Sequence, residues 1–162
     1  LLVGAGEAVG LLRRNGFRIC VVTNQSPVGR GIWGHEALSM IHDSLQEQLL
    51  SEDKDAQVDL ILYSPYHPDQ GSWARKPSPG MLEAGRQLIE NSQLNPDQPT
   101  YISYGENWNN PPSEKGSILV GDRESDILAA EIFGVRGIQC NPETGIAGVI
   151  DMIIPSDMEG QN

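Results

Sequence analysis

With 162 residues, 38% hydrophobic and 20% charged, the chain is the size of one soluble domain and long enough to bury roughly two thirds of its unfolded surface without staples. Eleven Lys and Arg against 22 Asp and Glu give a formal net charge of −11, which excludes indiscriminate binding to nucleic acid or to an anionic membrane. A small anionic ligand would have to find a local cluster of cations.

The chain opens Leu-Leu-Val-Gly in mid-pattern rather than on methionine, as a fragment, a processed product or an incomplete reading frame would. No apolar stretch approaches the ~18 residues that cross a bilayer, and no signal-peptide pattern is present. Cys20 and Cys140 belong to apolar runs and resemble neither a disulfide framework nor a zinc ligand set. The expectation is a cytoplasmic protein with two free, buried thiols.

Residues 5–15 carry Ala8, Leu11 and Leu12 at helical spacing, with Gly16 as a C-terminal stop. Gly4, Gly6 and Gly10 invite comparison with a dinucleotide-binding glycine loop. The spacing is one residue too long and no strand precedes it, so helix entry is the better account. Residues 17–22 predict a strand, followed at once by Thr23-Asn24-Gln25-Ser26-Pro27-Val28-Gly29-Arg30-Gly31. Small hydroxyl and amide side chains at a strand's carboxyl end, with open glycines, suit phosphate oxygens, and Arg30 adds a cation. An ordinary polar turn would read much the same.

Residues 35–50 place Leu38, Ile41, Leu45 and Leu49 at three- and four-residue steps, the pattern of an amphipathic helix. His35 and His42 on it read as solvated helix residues without metal partners. A charged loop at 51–57 contains Asp53-Lys54-Asp55, and residues 58–63 predict a second strand. A long loop, 64–74, leads to Arg75-Lys76-Pro77-Ser78-Pro79-Gly80-Met81. Ser78 is a good N-cap with Pro79 at the first helical position, so a helix is expected to about residue 91. In a chain this acidic, adjacent Arg75 and Lys76 beside a helix start are a candidate anion site, although basic pairs on loops are commonly solvated surface.

Residues 94–116 are polar and rich in proline and asparagine, as in a surface insertion, with a short strand expected at 101–104. The core resumes at residue 117 with Ser-Ile-Leu-Val-Gly-Asp-Arg-Glu-Ser-Asp. Its unbroken apolar run predicts a buried parallel strand, which delivers Asp122 to the carboxyl edge where open α/β sheets hold ligands. Asp126 falls in the first turn of the next helix. Asp122 and Ser125 would alternatively serve only as helix caps. A helix to Phe133 stopped by Gly134, a strand at 135–140, a weak strand at 149–154 and a disordered tail at 155–162 complete the chain.

Three signals thus stand in order: Val21-Val22-Thr23-Asn24-Gln25-Ser26, Arg75-Lys76-Pro77, and Gly121-Asp122-Arg123-Glu124-Ser125-Asp126. Together they resemble the haloacid dehalogenase superfamily of phosphatases, in particular the heptose bisphosphate and histidinol phosphate branch, over residues 1–154 apart from the insertion. The resemblance implies an α/β, three-layer Rossmann-like parallel sheet with helices on both faces. It implies that Thr23, with Asn24 and Gln25 close by, binds the transferring phosphoryl group. Lys76 would neutralise its charge, Arg75 and Arg30 would grip substrate, and Asp122 would ligate magnesium with Asp126 in support.

The sequence departs from that family twice. The family's nucleophile and general acid, spaced Asp-x-Asp on a strand before the first helix, have no counterpart here, so the first central strand is expected to be missing and this chain alone to be inactive. Asp53-Lys54-Asp55 has the spacing but follows a helix in a charged loop and comes after the threonine motif. The loop before Arg75 offers Ser64, Tyr66 and His67 but no cysteine, so no zinc is expected. The resemblance implies a magnesium-dependent phosphomonoesterase acting on a small phosphorylated metabolite, with a noncatalytic phosphate-binding domain as the alternative. Neither nucleic acid nor membrane is an expected partner, and the oligomeric state is open.

Overall fold

The computed structural model describes residues 1–109 and 111–154. Helix α1 (Ala5–Arg14) leads into strand β1 (Cys20–Asn24), and a one-turn helix α2 (Ser26–Gly29) and the long α3 (His35–Glu52) return the chain to β2 (Leu60–Ser64). Helix α4 (Gly80–Leu94) and the long insertion precede β3 (Ile118–Gly121), α5 (Glu124–Phe133), β4 (Arg136–Gln139) and a short α6 (Ile150–Ile153).

The strands are parallel, as expected, but they form two sheets rather than one. β1 pairs with β2 in register Val22↔Leu62, and β3 pairs with β4 in register Val120↔Ile138. No hydrogen-bonded ladder joins β1 to β3.

Helices cover both faces. On one, Ala5 and Val9 of α1 meet Leu49 of α3 and Ala56, with Ile19, Leu45, Val58 and Ile146 packed around them. Among the described residues this is the apolar core cluster, and fully burying a valine or leucine such as Val9 or Leu49 is worth ~1.5–3 kcal/mol. Ile41 is not part of it and is 53% exposed. At 100° per residue Leu38, Leu45 and Leu49 align, whereas Ile41 falls about 60° off their line. On the other face Gly85 of α4 lies against Cys20 and Leu62, and Gly137 lets β4 approach Ala130 and Ile127 of α5.

Several expectations change. Helix α4 begins at Gly80, with Pro79 in the N-cap position and no side-chain cap, so Ser78 does not cap it. Gly16 and Gly134 do stop their helices, at φ 85 and 83. Residues 101–104 form no strand; Gln87 of α4 takes both backbone groups of Ser103, at 2.8 and 2.9 Å, in place of a neighbouring strand. The insertion lies down on the helices, with Trp108 stacked on Phe133 at 6.3 Å and Glu114 2.9 Å from Arg86. The expected strand at 149–154 is a 3-10 turn, Gly145–Val149, followed by α6. Glycines at 145 and 148 favour turning over extension there. The tail at 155–162 and Asn110 lie outside the described residues. Among those described, no helix is long and apolar enough to cross a membrane.

Candidate active site

The carboxyl ends of β1 and β3 converge on one side chain. Lys76 Nζ donates to the Val22 carbonyl at 2.7 Å and sits 2.6 Å from Asp126 Oδ1. The two side chains are only 11% and 7% exposed, so solvent screens the pair little. Asn24 fixes the lysine's backbone from the other side: its amide donates to the Lys76 carbonyl at 3.0 Å and its carbonyl accepts the Lys76 N–H at 3.1 Å. The threonine loop and the Arg-Lys-Pro loop, about 50 residues apart in sequence, are thereby one unit. Gln25 completes it by donating to Thr23 Oγ1 at 3.1 Å.

Asp126 is placed by the helix it begins. Its second oxygen accepts the Arg123 N–H at 3.1 Å, so Asp126 itself caps α5, and Arg123 holds the N-cap position. Capping by Asp122 and Ser125 is not what the structure shows. Gly121 makes room: a Cβ there would come within 2.4 Å of Asp126 Cγ. Asp122 stands just beyond, exposed, and its carboxylate accepts no hydrogen bond among the described residues.

These groups line a cavity of about 920 Å³ together with Thr23, Gln25, Ser26 and Arg75. Arg75 is steadied by the Tyr66 carbonyl at 2.9 Å. Arg30 is the exception among the expected residues. It closes α2 at the surface and does not line the cavity. The sequence reading missed Trp33, Arg123 and Cys140, which do. An aromatic side chain in a loop between Gly31 and Gly34 is the one sequence signal that marks Trp33.

Both cysteines are free, as expected, but only partly buried. Burial pushes the Cys20 thiol up to about 12, and burial followed by the nearby Asp122 raises Cys140 as well. Asp53 and Asp55 lie at the amino ends of the strands, where Arg14 binds Asp53 at 2.8 Å and Asp55 at 3.0 Å. His67 turns to Asp69 at 3.1 Å. His35 is not simply solvated, since its Nδ1 lies 2.7 Å from the Tyr63 hydroxyl, with His42 on the same ring. Among the described residues no three His, Cys, Asp or Glu gather as a metal site.

Oxygen donors fit a hard cation such as magnesium, which needs only one or two protein carboxylates and completes its shell with water and phosphate. Asp122 is free to be one. Asp126 has both oxygens engaged, by Lys76 and by the Arg123 N–H. The described residues therefore offer such a cation one uncommitted carboxylate, Asp122, beside Asp126, which Lys76 and the Arg123 N–H already engage.

A hydroxyl on β1, a lysine on the loop before α4 and two carboxylates just after β3 gather at one edge of parallel strands, the arrangement the sequence motifs led us to expect, and the chain is homologous to phosphatases of the haloacid dehalogenase superfamily. A scan against protein-family models finds no match. The heptose-1,7-bisphosphate 7-phosphatase of Pseudomonas aeruginosa is 34% identical over 136 residues, 84% of this chain and 61% of that protein. That of Pseudomonas putida is 30% identical over 83% of this chain and 64% of its own length. The chain is thus a homologue of the D-glycero-D-manno-heptose-1,7-bisphosphate 7-phosphatases, and it spans about three fifths of the length of these curated relatives. A D,D-heptose 1,7-bisphosphate phosphatase from B. bronchiseptica, solved with magnesium and phosphate, superposes with a TM-score of 0.71 over 94% of this chain and 83% of that one, at 23% identity.

Proposed function

We propose that this chain is the larger part of a magnesium-dependent phosphomonoesterase acting on a small sugar phosphate. The observation that carries the reading is the Lys76 ammonium, held between the Val22 carbonyl and Asp126 at the floor of the cavity and faced by Thr23 and Arg75. Thr23 donates to a phosphoryl oxygen, Lys76 offsets charge on the transferring group, and Arg75 grips the substrate at the rim. Asp122, supported by Asp126, would hold magnesium, which when bound offsets phosphate charge. Phosphoryl transfer depends mainly on such positioning and charge compensation.

The attacking carboxylate is supplied from outside residues 1–162. Its oxygen bonds to phosphorus as the ester P–O bond breaks, and the alcohol leaves with a proton from a neighbouring acid. Water then cleaves the acyl phosphate to restore the carboxylate and release inorganic phosphate. The second reading, a phosphate-binding domain without catalysis, is favoured by one observation: both oxygens of the carboxylate beside Lys76 are already committed.

Calorimetric titration with inorganic phosphate tests the site. Binding is expected with magnesium present, to be lost in Lys76→Ala and to lose its magnesium dependence in Asp122→Asn. Unchanged binding in Lys76→Ala would overturn the assignment. Phosphate release from heptose bisphosphate by this chain alone would overturn the external nucleophile.

A further inference from the structure

Glu83 is a buried acid that the proposed chemistry leaves unused. It lies in the first turn of α4, 6% exposed, and among the described residues no Lys, Arg or His pairs with it. Burying a carboxylate without a cation is costly unless N–H donors take over from water, and here two do. Trp73 Nε1 donates to Oε2 at 2.6 Å, and the Gly105 N–H donates to Oε1 at 2.9 Å. The two donors come from different segments. Trp73 stands two residues before Arg75 on the loop that brings Arg75 and Lys76 to the cavity, and Gly105 opens a 3-10 turn, Gly105–Asn107, in the long insertion. One carboxylate therefore joins the insertion to the loop. The two segments also touch, since a Cβ on Gly105 would lie 3.8 Å from the Trp73 ring.

More of the insertion is held along the same face of α4. Glu83, Gln87 and Asn91 follow one another at four-residue steps. Gln87 takes Ser103, and Asn91 donates to the Gln98 carbonyl at 3.1 Å and to Thr100 Oγ1 at 2.6 Å. Of these three side chains, Glu83 alone also reaches the cationic loop. That loop is closed on itself: the Gly80 N–H donates to the Trp73 carbonyl at 3.1 Å and the Arg75 N–H to the Ser72 carbonyl at 3.0 Å. Fixing the Trp73 indole thus fixes the backbone from which Arg75 projects. Lys76 is held from elsewhere, by Asn24 on its backbone and by the Val22 carbonyl and Asp126 on its ammonium. The two neighbouring cations have separate anchors.

We propose that Glu83 is a positioning residue for Arg75: it clasps the insertion to the cationic loop, so that the guanidinium is set to receive an anion while the insertion is docked on α4. The inference rests on the proposed function for the identity of that anion, a phosphoryl group in the cavity; the clasp itself does not depend on it. Coupling of this kind is reciprocal, so an anion on Arg75 steadies the insertion as much as the docked insertion favours the anion. An amide in place of the carboxylate cannot serve both segments. It offers one oxygen as acceptor, and its NH₂ group meets the second N–H donor.

The test uses the full chain, inorganic phosphate with magnesium as the anion, and amide hydrogen exchange followed residue by residue. Without phosphate, Glu83→Gln should speed exchange of the Gly105 and Arg75 amides by at least ~10-fold and leave the Lys76 amide, bonded to Asn24, unchanged. Trp73→Phe keeps a ring in place but removes the indole N–H, and should release the Arg75 amide in the same way. By calorimetry, Glu83→Gln should weaken phosphate binding about 5-fold or more in the parent chain and not at all in an Arg75→Ala background, whereas general loosening would weaken both. Unchanged phosphate affinity in Glu83→Gln, an equal loss in the Arg75→Ala background, or acceleration that includes Lys76 overturns the inference. If Glu83→Gln does not fold, Trp73→Phe carries the same test, and an unmoved Arg75 amide there overturns it. If the parent binds no phosphate, the proposed function fails while exchange still decides the clasp: Arg75 and Gly105 released together uphold it, and an unmoved Arg75 refutes it.

Discussion

Replacing Asp126 by Asn removes the charge that faces Lys76 while keeping an oxygen to accept the Arg123 N–H. The ammonium, 11% exposed, is then left with the Val22 carbonyl alone. Breaking one side of a buried pair costs about 3–5 kcal/mol because the remaining charge stays desolvated. With a urea m-value of about 2 kcal/mol/M, the unfolding midpoint should fall by roughly 1.5–2.5 M. Lys76→Met in the same background removes the stranded charge. The double variant should therefore be less destabilised than the two single losses summed, with a coupling of about 2 kcal/mol. Urea titrations of the four proteins, monitored by circular dichroism, give that number directly. If the single losses add to within ~0.5 kcal/mol, Lys76 and Asp126 do not act as a buried pair, and the description of the cavity floor is wrong.

Gly121→Ala drives a methyl into the Asp126 side chain and should cost about 1–3 kcal/mol in the same assay; because Asp126 Cβ is itself in the way, Asp126→Ala should not relieve that cost, whereas Asp126→Gly should reduce it. The raised thiol of Cys20 sets an alkaline limit. Its folded value, about 12, lies above the ordinary 9.0, so its contribution is complete below pH 9 and is lost as pH rises from there toward 12, at up to ~1.4 kcal/mol per pH unit. Cys20→Ala should flatten that limb of the stability profile, and an unchanged limb would remove Cys20 as its cause. Asp53 acts in the opposite sense. The Asp55 N–H and then Arg14 hold its carboxyl below the ordinary 3.8, so its stabilisation is present above that pH and disappears as pH falls through the folded value. Asp53→Asn should therefore be less stable than the parent at pH 6 and close to it at pH low enough to protonate Asp53 in both folded and unfolded parent, as read by thermal melts across pH.

Much of this protein was written in local chemistry. Apolar runs ending in a glycine or a threonine mark parallel strands whatever packs on them, and Gly16 and Gly134 stop helices because only a residue free to take positive φ turns the chain there. The ordered Thr23, Lys76 and Asp122 motifs disclosed the superfamily before any contact was known. Arg30 illustrates the limit of such reading, since a cation near a phosphate-like loop is indistinguishable in sequence from one that faces solvent. Ile41 illustrates it for packing, where a displacement of about 60° around α3 separates core from surface.

Tertiary structure decided the rest because it depends on pairs far apart in the chain. Asn24 gripping the backbone of Lys76, Asp126 facing that lysine rather than solvent, and Gln87 replacing a strand beside Ser103 are long-range bonds that no periodicity announces. The same holds for the sheet. Composition makes β1 and β3 strands, but only the tertiary structure decides that β1 pairs with β2 and β3 with β4, because each ladder joins segments that local sequence does not link.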